Sequence, residues 1–277
     1  MKYQKSFRGY LMKKILLIND LPGYGNVALS AMIPIFSCLG LETCSLPTAL
    51  LSNTLNYGKY EILDTTVYMR RTLEVWDQLG FRFDAIAVGF IVSEEQAYLI
   101  ADFCGKQRKR GIPVFVDPIL GDNGRLYNGI TERRVSEMRG LVSVADVIVP
   151  NYTEACFLAG QAYSADTESI DSIRSLIDRL LELGAGSVVI TSSLIDDRKQ
   201  ICGYDGREKE YFFLPYHEIP GHFYGTGDIF SAFMIGHIMK GSTLKAAVRT
   251  AMTTVEQMIQ DSGDGPYVTV PGITSLR

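Results

Sequence analysis

Short apolar runs alternate with longer amphipathic segments along most of the chain. The runs are rich in Val, Ile and Leu, a composition that is typical of strands buried on both faces of a sheet. We predict strands at residues 13–19, 42–48, 84–90, 113–116, 146–149 and 187–190.

The segments between these runs have helical length and spacing. Asp64 is placed to cap one helix, a Ser93-to-Gln96 capping box opens another, and Pro34 predicts a kink in the first. Helices are predicted at residues 27–39, 64–79, 93–110, 151–159, 169–183, 229–239 and 244–259, with residues 49–60 as a loop.

Strand and helix therefore alternate through the chain. Segments 201–204 and 210–213 flank Asp205-Gly206, which is a strong hairpin signal. This order predicts an α/β fold with one doubly wound, mostly parallel sheet covered by helices and an antiparallel hairpin near its end.

Length and charge narrow the class of protein. The 277 residues suit one large α/β domain or two small ones, and we find no linker. We therefore predict one domain over residues 13–277, preceded by an extension at 1–12. The net charge of −4 argues against nucleic-acid binding. No run is long enough to cross a bilayer, no signal peptide is evident, and five widely spaced cysteines suggest reduced thiols in the cytoplasm.

The sequence Gly225-Thr226-Gly227-Asp228 precedes an apolar helical run. A glycine-rich loop that enters a helix N-terminus presents free N–H groups and the positive end of the helix dipole, which together suit a phosphate. Asp228 would repel that anion unless it takes a proton from a hydroxyl that attacks the phosphate. Alternatively, Asp228 is an ordinary helix cap, and the motif alone favours that interpretation.

Polar residues follow several predicted strands. Asp20, Phe90, Asp117 and Asn151 should share the carboxyl edge of the sheet, where ligands bind in open α/β folds. Asn151 and Glu154 offer oxygen ligands for Mg²⁺, but on spacing alone an N-cap box is the better interpretation. Asp117 also suits a turn. Further hydroxyls follow strands at positions 48, 52, 191 and 192.

The loop Gly23-Tyr24-Gly25-Asn26-Val27-Ala28 fits the G-x-G-x-x-A fingerprint of dinucleotide binding. The fingerprint is weak here, because Pro47-Thr48 stands where an acidic residue should hold the ribose. A loop that approaches a small ligand, a nicotinamide site and a plain strand-to-helix turn all remain open.

The combination of motifs resembles the ribokinase-like superfamily and, within it, the pyridoxal/pyridoxamine kinase family. The resemblance runs from Lys13 to about Gln260. It is carried by the Gly-x-Gly-Asn loop and by five later motifs, Leu-Ser-Asn-Thr at 51–54, Asp-Pro-Ile-Leu-Gly-Asp at 117–122, Pro-Asn-Tyr-Thr-Glu at 150–154, Ile-Thr-Ser-Ser at 190–193 and Gly-Thr-Gly-Asp at 225–228.

This resemblance implies a three-layer α/β/α sandwich and ATP-dependent phosphorylation of a hydroxymethyl group on a pyridine ring, with Mg²⁺, a possible K⁺ and a homodimer. Asp228 matches the family's catalytic base, and Gly225, Thr226 and Gly227 match its anion hole. The remaining matches are Asn19, Asp20, Thr48, Ser52 and Phe90 for the vitamin pocket, Asp117, Asn151, Glu154, Thr191 and Ser192 for the nucleotide, and Asp117 and Glu154 for the metal.

The chain departs from many relatives at the acceptor end. Asn19-Asp20 stands where many carry a serine, Thr54 where many carry a histidine, and Phe90 where a tyrosine is common. Hydroxymethylpyrimidine is therefore a second possible acceptor. A nicotinamide-dependent oxidoreductase that uses residues 23–28 and a non-catalytic ligand sensor are the other classes that we consider. Asp20 could pair with a ring nitrogen or an amine, which would favour pyridoxamine.

Overall fold

A computed structural model describes residues 12–262 and 267–268. The expected extension at 1–12 therefore lies almost entirely outside the described residues. The strands are β1 (Lys14–Pro22), β2 (Glu42–Leu51), β3 (Ile62–Asp64), β4 (Ala85–Val88), β5 (Val114–Val116), β6 (Gly121–Asp122), β7 (Arg125–Leu126), β8 (Val147–Ile148), β9 (Ser187–Ile195), β10 (Arg198–Asp205) and β11 (Glu210–Pro215). The helices are α1 (Ala28–Cys38), α2 (Thr66–Gln78), α3 (Glu94–Lys109), α4 (Glu132–Val142), α5 (Tyr152–Ala159), α6 (Ile170–Glu182), α7 (Thr226–Met239) and α8 (Leu244–Asp261), with a 3₁₀ turn at Leu55–Tyr57.

Nine strands form one mixed sheet in the order β11-β10-β9-β8-β5-β4-β1-β2-β3. The pairs from β2 across to β9 are parallel, whereas β3, β10 and β11 each pair antiparallel with their neighbours. The mostly parallel sheet and the hairpin near its end are thus confirmed.

Helices cover both faces of the sheet and make three layers. Alternate side chains of β1 point to opposite faces, as the strand period of two requires. Leu16 and Ile18 join a core with α3, α4, α5 and α6. Ile15 and Leu17 join a second core with α1, α7 and α8. The α/β/α sandwich is therefore confirmed.

The chain order places a crevice at the centre of the sheet. Strand β1 connects through α1 to β2 on one side, whereas its other neighbour, β4, connects through α3 to β5 on the opposite side, so the chain direction reverses between β1 and β4. In open α/β sheets, ligands bind at the carboxyl ends of strands beside such a point. The ends of β1, β4, β5 and β8 all lie along this edge.

The sequence-based prediction missed β3, the β6–β7 hairpin and α4, and it ended several strands too early. Strand β3 lies across the predicted boundary between a loop and a helix, and β9 continues beyond position 190 to Ile195. Helix α4 was not predicted, although Val135, Met138 and Val142 are buried at helical spacing. The many charged residues of α4 separate its apolar positions in the sequence, so the stripe was not recognised. Among the described residues, no helix is long and apolar enough to span a membrane.

Candidate active site

Asp228 lies in the first turn of α7 and contacts two other elements. Its Oδ2 accepts a hydrogen bond of 2.8 Å from the backbone N–H of Ala28, at the start of α1. Its Oδ1 accepts a bond of 3.3 Å from the side-chain amide of Asn19, in β1. The N-termini of α1 and α7 thus meet at the Asp228 carboxylate. Helix N-termini favour a negative charge because they carry the positive end of the helix dipole.

The backbone before Asp228 is built to leave N–H groups free. Gly225 precedes the helix in a left-handed conformation with φ of 84°, and an added Cβ would lie 2.5 Å from the carbonyl oxygen of Asn26. Glycine is therefore required at this position. Within the described part of the chain, no hydrogen bond takes up the N–H groups of Thr226, Gly227 or Asp228. These groups can bind an anion.

Asn19 links the Asp228 carboxylate to the segment that follows β4. Its Oδ1 accepts from the N–H of Phe90 at 2.8 Å and from the N–H of Asp20 at 3.0 Å. Its amide donates to Asp228. A Cβ at Gly89 would collide with the Asn19 side chain at 2.5 Å, so close packing also holds this side chain. Asn19 therefore positions Asp228 as well as lining the crevice.

Asp117 follows β5 and lies near Asp228. Its Oδ2 accepts a hydrogen bond of 3.2 Å from Ser231, one helical turn beyond Asp228 on α7. Asn19, Asp117, Asp228 and Ser231 are polar residues that line a small, otherwise apolar cavity at the strand ends. The structure thus brings together Asn19, Asp228 and Asp117. The family resemblance assigned these residues to the acceptor pocket, to the catalytic base and to the metal site, respectively.

The carboxylates at this edge are difficult to ionise. Burial, together with the charge of Asp228, raises the pKa of Asp20 to about 7 and that of Asp117 to about 7. Burial also raises the pKa of Asp228, although the bonds from Ala28 and Asn19 oppose this shift. None of these three, nor Glu154, forms an ion pair within residues 12–262. A bound cation would supply the missing positive charge.

Asn151 and Glu154 form a complete capping box at the start of α5. The Asn151 Oδ1 accepts from the N–H of Glu154 at 2.9 Å, and the Glu154 Oε2 accepts from the N–H of Asn151 at 2.8 Å. The cap favoured by spacing is thus confirmed. Glu154 Oε1 also accepts from the N–H of Leu120 at 3.0 Å, so the box holds the 117–122 motif in place.

The structure describes no dense metal centre. Within the described ranges, no three residues among His, Cys, Asp and Glu are grouped as metal ligands. Mg²⁺ commonly uses only one or two carboxylates together with substrate phosphates and water. Asp117 has a carboxylate oxygen free for such contact, whereas both oxygens of Glu154 already accept backbone bonds. The donors therefore fit Mg²⁺ best when it binds Asp117 directly and Glu154 through water.

The hydroxyls assigned to the ligand pockets are partly used within the protein. Thr48 is fully buried and donates to the carbonyl of Phe90 at 2.7 Å. Ser52 donates to Asn53 at 2.6 Å and lies on an exposed loop. Each hydroxyl can therefore only accept a hydrogen bond from a ligand.

Thr191 and Ser192 lie at a bulge in β9. Thr191 forms a bridge with Asn151, which places it at the same edge as the capping box. Ser192 has a left-handed backbone with φ of 58°, which turns the strand locally. Their assignment to the nucleotide stays a prediction.

Packing explains the glycines of the 23–28 loop. A Cβ at Gly25 would lie 2.5 Å from the Thr54 methyl group, and the Gly23 N–H donates to Leu51 at 2.7 Å. The N–H of Ala28, at the helix N-terminus, is already bonded to Asp228. A dinucleotide phosphate would have to displace that carboxylate, so this geometry does not favour the nicotinamide interpretation.

One residue of the site was missed by sequence reasoning. Ser231 is three positions after Asp228, so helical spacing could have identified it as a neighbour on the same face.

Comparisons with known proteins agree with this geometry. A family model described as phosphomethylpyrimidine kinase matches residues 29–268. The chain is 27% identical over 266 residues to pyridoxal kinase PdxY of Burkholderia lata, covering 91% of this chain and 90% of that protein.

Two solved structures are also similar. The first is a candidate phosphomethylpyrimidine kinase of Bacteroides thetaiotaomicron VPI-5482 with pyridoxal, with a TM-score of 0.87, 35% identity, and coverage of 95% of this chain and 92% of that one. The second is pyridoxal kinase of Leishmania donovani with ADP and pyridoxine, with a TM-score of 0.76, 25% identity, and coverage of 90% and 89%.

Proposed function

The chain belongs to the phosphomethylpyrimidine kinase family and, with its pyridoxal kinase relatives, to the ribokinase-like superfamily, and we propose that it uses ATP to phosphorylate the 5′-hydroxymethyl group of a B6 vitamer. Pyridoxamine, pyridoxal and pyridoxine are the acceptors that this proposal covers. Kinase chemistry follows from the family, and the residue roles below are our proposal.

The position of Asp228 is the observation that carries the proposal. Its carboxylate is held at two points beside a row of unused backbone N–H groups. In the proposed reaction, Asp228 accepts the proton of the acceptor hydroxyl while that oxygen attacks the γ-phosphorus of ATP. The bond to the β,γ-bridging oxygen breaks, and ADP leaves. A carboxylate whose pKa is raised towards neutrality is a better base for this step than an ordinary one.

The α7 N-terminus stabilises the charge that develops during transfer. The N–H groups from Gly225 to Asp228 form the anion hole for the migrating phosphoryl group. Fixed donors of this kind need no reorganisation during the reaction, and each is worth about 10² to 10³ in rate. Phosphoryl transfer depends mainly on such positioning and charge neutralisation.

The nucleotide lies, in this proposal, beyond β5 and β8, near Asp117, Asn151, Glu154, Thr191 and Ser192. Mg²⁺ neutralises phosphate charge when it is bound and is held by Asp117 and, through water, by Glu154. Within residues 12–262, Asp117 is half-buried and forms no ion pair, which supports this role. The resemblance to the family also suggests that the enzyme uses K⁺ and that it forms a homodimer.

The acceptor ring lies, in this proposal, against Asn19, Asp20, Thr48, Ser52 and Phe90. Asn19 contacts Asp228 and Phe90, so it connects this pocket to the base. Hydroxymethylpyrimidine is the second candidate acceptor, because the matching family model is named for phosphomethylpyrimidine kinase.

Asp228→Asn tests the proposal. Asparagine keeps an oxygen for the Ala28 N–H but cannot take the proton, so we expect ATP-dependent turnover to fall about 10² to 10⁴-fold. Asp171→Asn, on an exposed side chain of α6, is the matched control. Wild-type enzyme, both variants and a panel of B6 vitamers and hydroxymethylpyrimidine are assayed by ADP release. Equal turnover of Asp228→Asn and wild type would refute the base assignment.

A further inference from the structure

Residues 267–268 lie directly on the loops of the active site. Asn26 donates its side-chain amide to the carbonyl of Val268 at 3.2 Å. Tyr267 pairs through its backbone with Tyr224, which immediately precedes Gly225 of the anion hole. Val268 is fully buried. This short segment therefore connects the 23–28 loop with the loop that enters α7.

The Tyr267 side chain extends the connection to the acceptor side. Its hydroxyl shares a hydrogen bond of 2.8 Å with Thr54 Oγ1, across 213 positions in the sequence. Thr54 is 4% exposed, so its end of this bond is buried.

Packing makes these contacts mutually dependent. The space that a Cβ on Gly25 would occupy is bounded by the Thr54 methyl group at 2.5 Å and the Tyr267 hydroxyl at 3.2 Å. The rings of Tyr224 and Tyr267 are 5.7 Å apart in a tilted arrangement. A shift of any one segment must therefore move the others, because atoms in close-packed contact leave no free space between the segments.

We propose that Tyr267 is a positioning residue that couples binding of the acceptor to binding of the nucleotide phosphates. This proposal rests on the proposed kinase function. Within the described residues, no hydrogen bond joins Tyr267 to Asp228, Asp117 or Glu154. Its hydroxyl holds the acceptor-side loop at Thr54, while its backbone holds the phosphate-side loop at Tyr224. Ordering of one loop by its ligand thereby orders the other, and each ligand tightens the binding of its partner.

The structure offers conservative variants for this test. Tyr267→Phe removes the hydroxyl and keeps the ring beside Tyr224. Thr54→Val removes the same hydrogen bond from the other side, and Thr54→Ser retains a hydroxyl as the matched control. Because one hydrogen bond is shared, the double variant should lose little more coupling than either single variant.

The experiment measures binding of pyridoxal by calorimetry with and without a non-hydrolysable ATP analogue and Mg²⁺. We expect the ratio of the two dissociation constants to fall about two- to tenfold in Tyr267→Phe and Thr54→Val, the range for one net hydrogen bond. Thr54→Ser should keep the wild-type ratio. Hydrogen exchange supplies a second readout, since the analogue alone should slow exchange at residues 52–54 in wild type but not in Tyr267→Phe.

Each outcome decides the proposal. An unchanged ratio in both single variants, or additive losses in the double variant, would overturn the coupling role. If Tyr267→Phe does not fold, Thr54→Val alone decides. Failure of the kinase function would give a different result, because the wild-type enzyme would then phosphorylate no vitamer. The exchange measurement would still show whether binding of the nucleotide analogue slows exchange in the 52–54 loop.

Discussion

Replacement of Gly227 by alanine tests the anion hole separately from the fold. A Cβ built on Gly227 meets no atom within 4 Å beyond its own helical turn, so the protein has room for the methyl group. Gly225 provides the contrast two positions earlier. There the added Cβ would lie 2.5 Å from a backbone oxygen at a φ of +84°. The two variants therefore separate loss of phosphate binding from loss of structure.

The expected magnitudes follow from these distances. Alanine in a helix is up to about 1 kcal/mol better than glycine, so Gly227→Ala should leave the Tm unchanged or slightly raised. The methyl group occupies space over the N–H groups that we assign to the phosphoryl group. A displacement of about 1 Å costs about 100-fold in rate. Gly225→Ala should instead destabilise the protein, with about 1–2 kcal/mol from the left-handed backbone alone.

The assay combines ADP-release kinetics with thermal unfolding of wild type and both variants. We expect Gly227→Ala to lose about two orders of magnitude in kcat/KM at a wild-type Tm. We expect Gly225→Ala to lose both activity and several degrees of Tm. A Gly227→Ala enzyme with wild-type Tm and with kcat/KM within about twofold of wild type would refute the placement of the phosphoryl group at this helix end.

Two further predictions concern the carboxylates. Because the pKa of Asp20 is about 7 in the folded protein, the folded state holds this proton more tightly than the unfolded chain, and stability falls as pH rises from about 4 to 7. Asp20→Asn should therefore stabilise unliganded protein at pH 8, by at most about 4 kcal/mol, and do nothing at pH 3, as measured by urea unfolding. The same variant should remove any preference for pyridoxamine over pyridoxal; an unchanged preference would exclude pairing of Asp20 with the ring nitrogen or the amine. The raised pKa of Asp228 should make kcat/KM fall on the acidic side at a pH above the ordinary Asp value of about 4, and a profile with no acidic fall above that value would contradict its role as base.

The architecture could be predicted from the sequence because the burial of each strand or helix leaves an apolar pattern within its own residues. A strand buried on both faces must be apolar along its whole length, and an amphipathic helix against a sheet must carry a stripe, so β1, β4 and α6 are visible as patterns. Parallel strands then align their carboxyl ends, which is why Asp20, Asp117 and Asn151 could be assigned to one edge. The Gly225–Asp228 motif alone favoured a helix cap, and only its combination with the other motifs indicated a phosphate site.

The connections within the site could not be predicted in this way. Asp228 bonds to the Ala28 N–H, 200 positions away, and Thr54 meets Tyr267, 213 positions away. Spacing favoured a capping role for Glu154, but its contact with Leu120, 34 positions away, could not be predicted from that spacing.

The sequence by itself thus determined the helix-covered sheet and the ligand edge, since both depend on periodicity. The kind of chemistry followed from the combination of motifs that resembles a known kinase family. Only the tertiary structure decided which polar atoms satisfy one another. That choice depends on strand order and on how loops from distant segments pack, and neither leaves a repeating pattern along the chain.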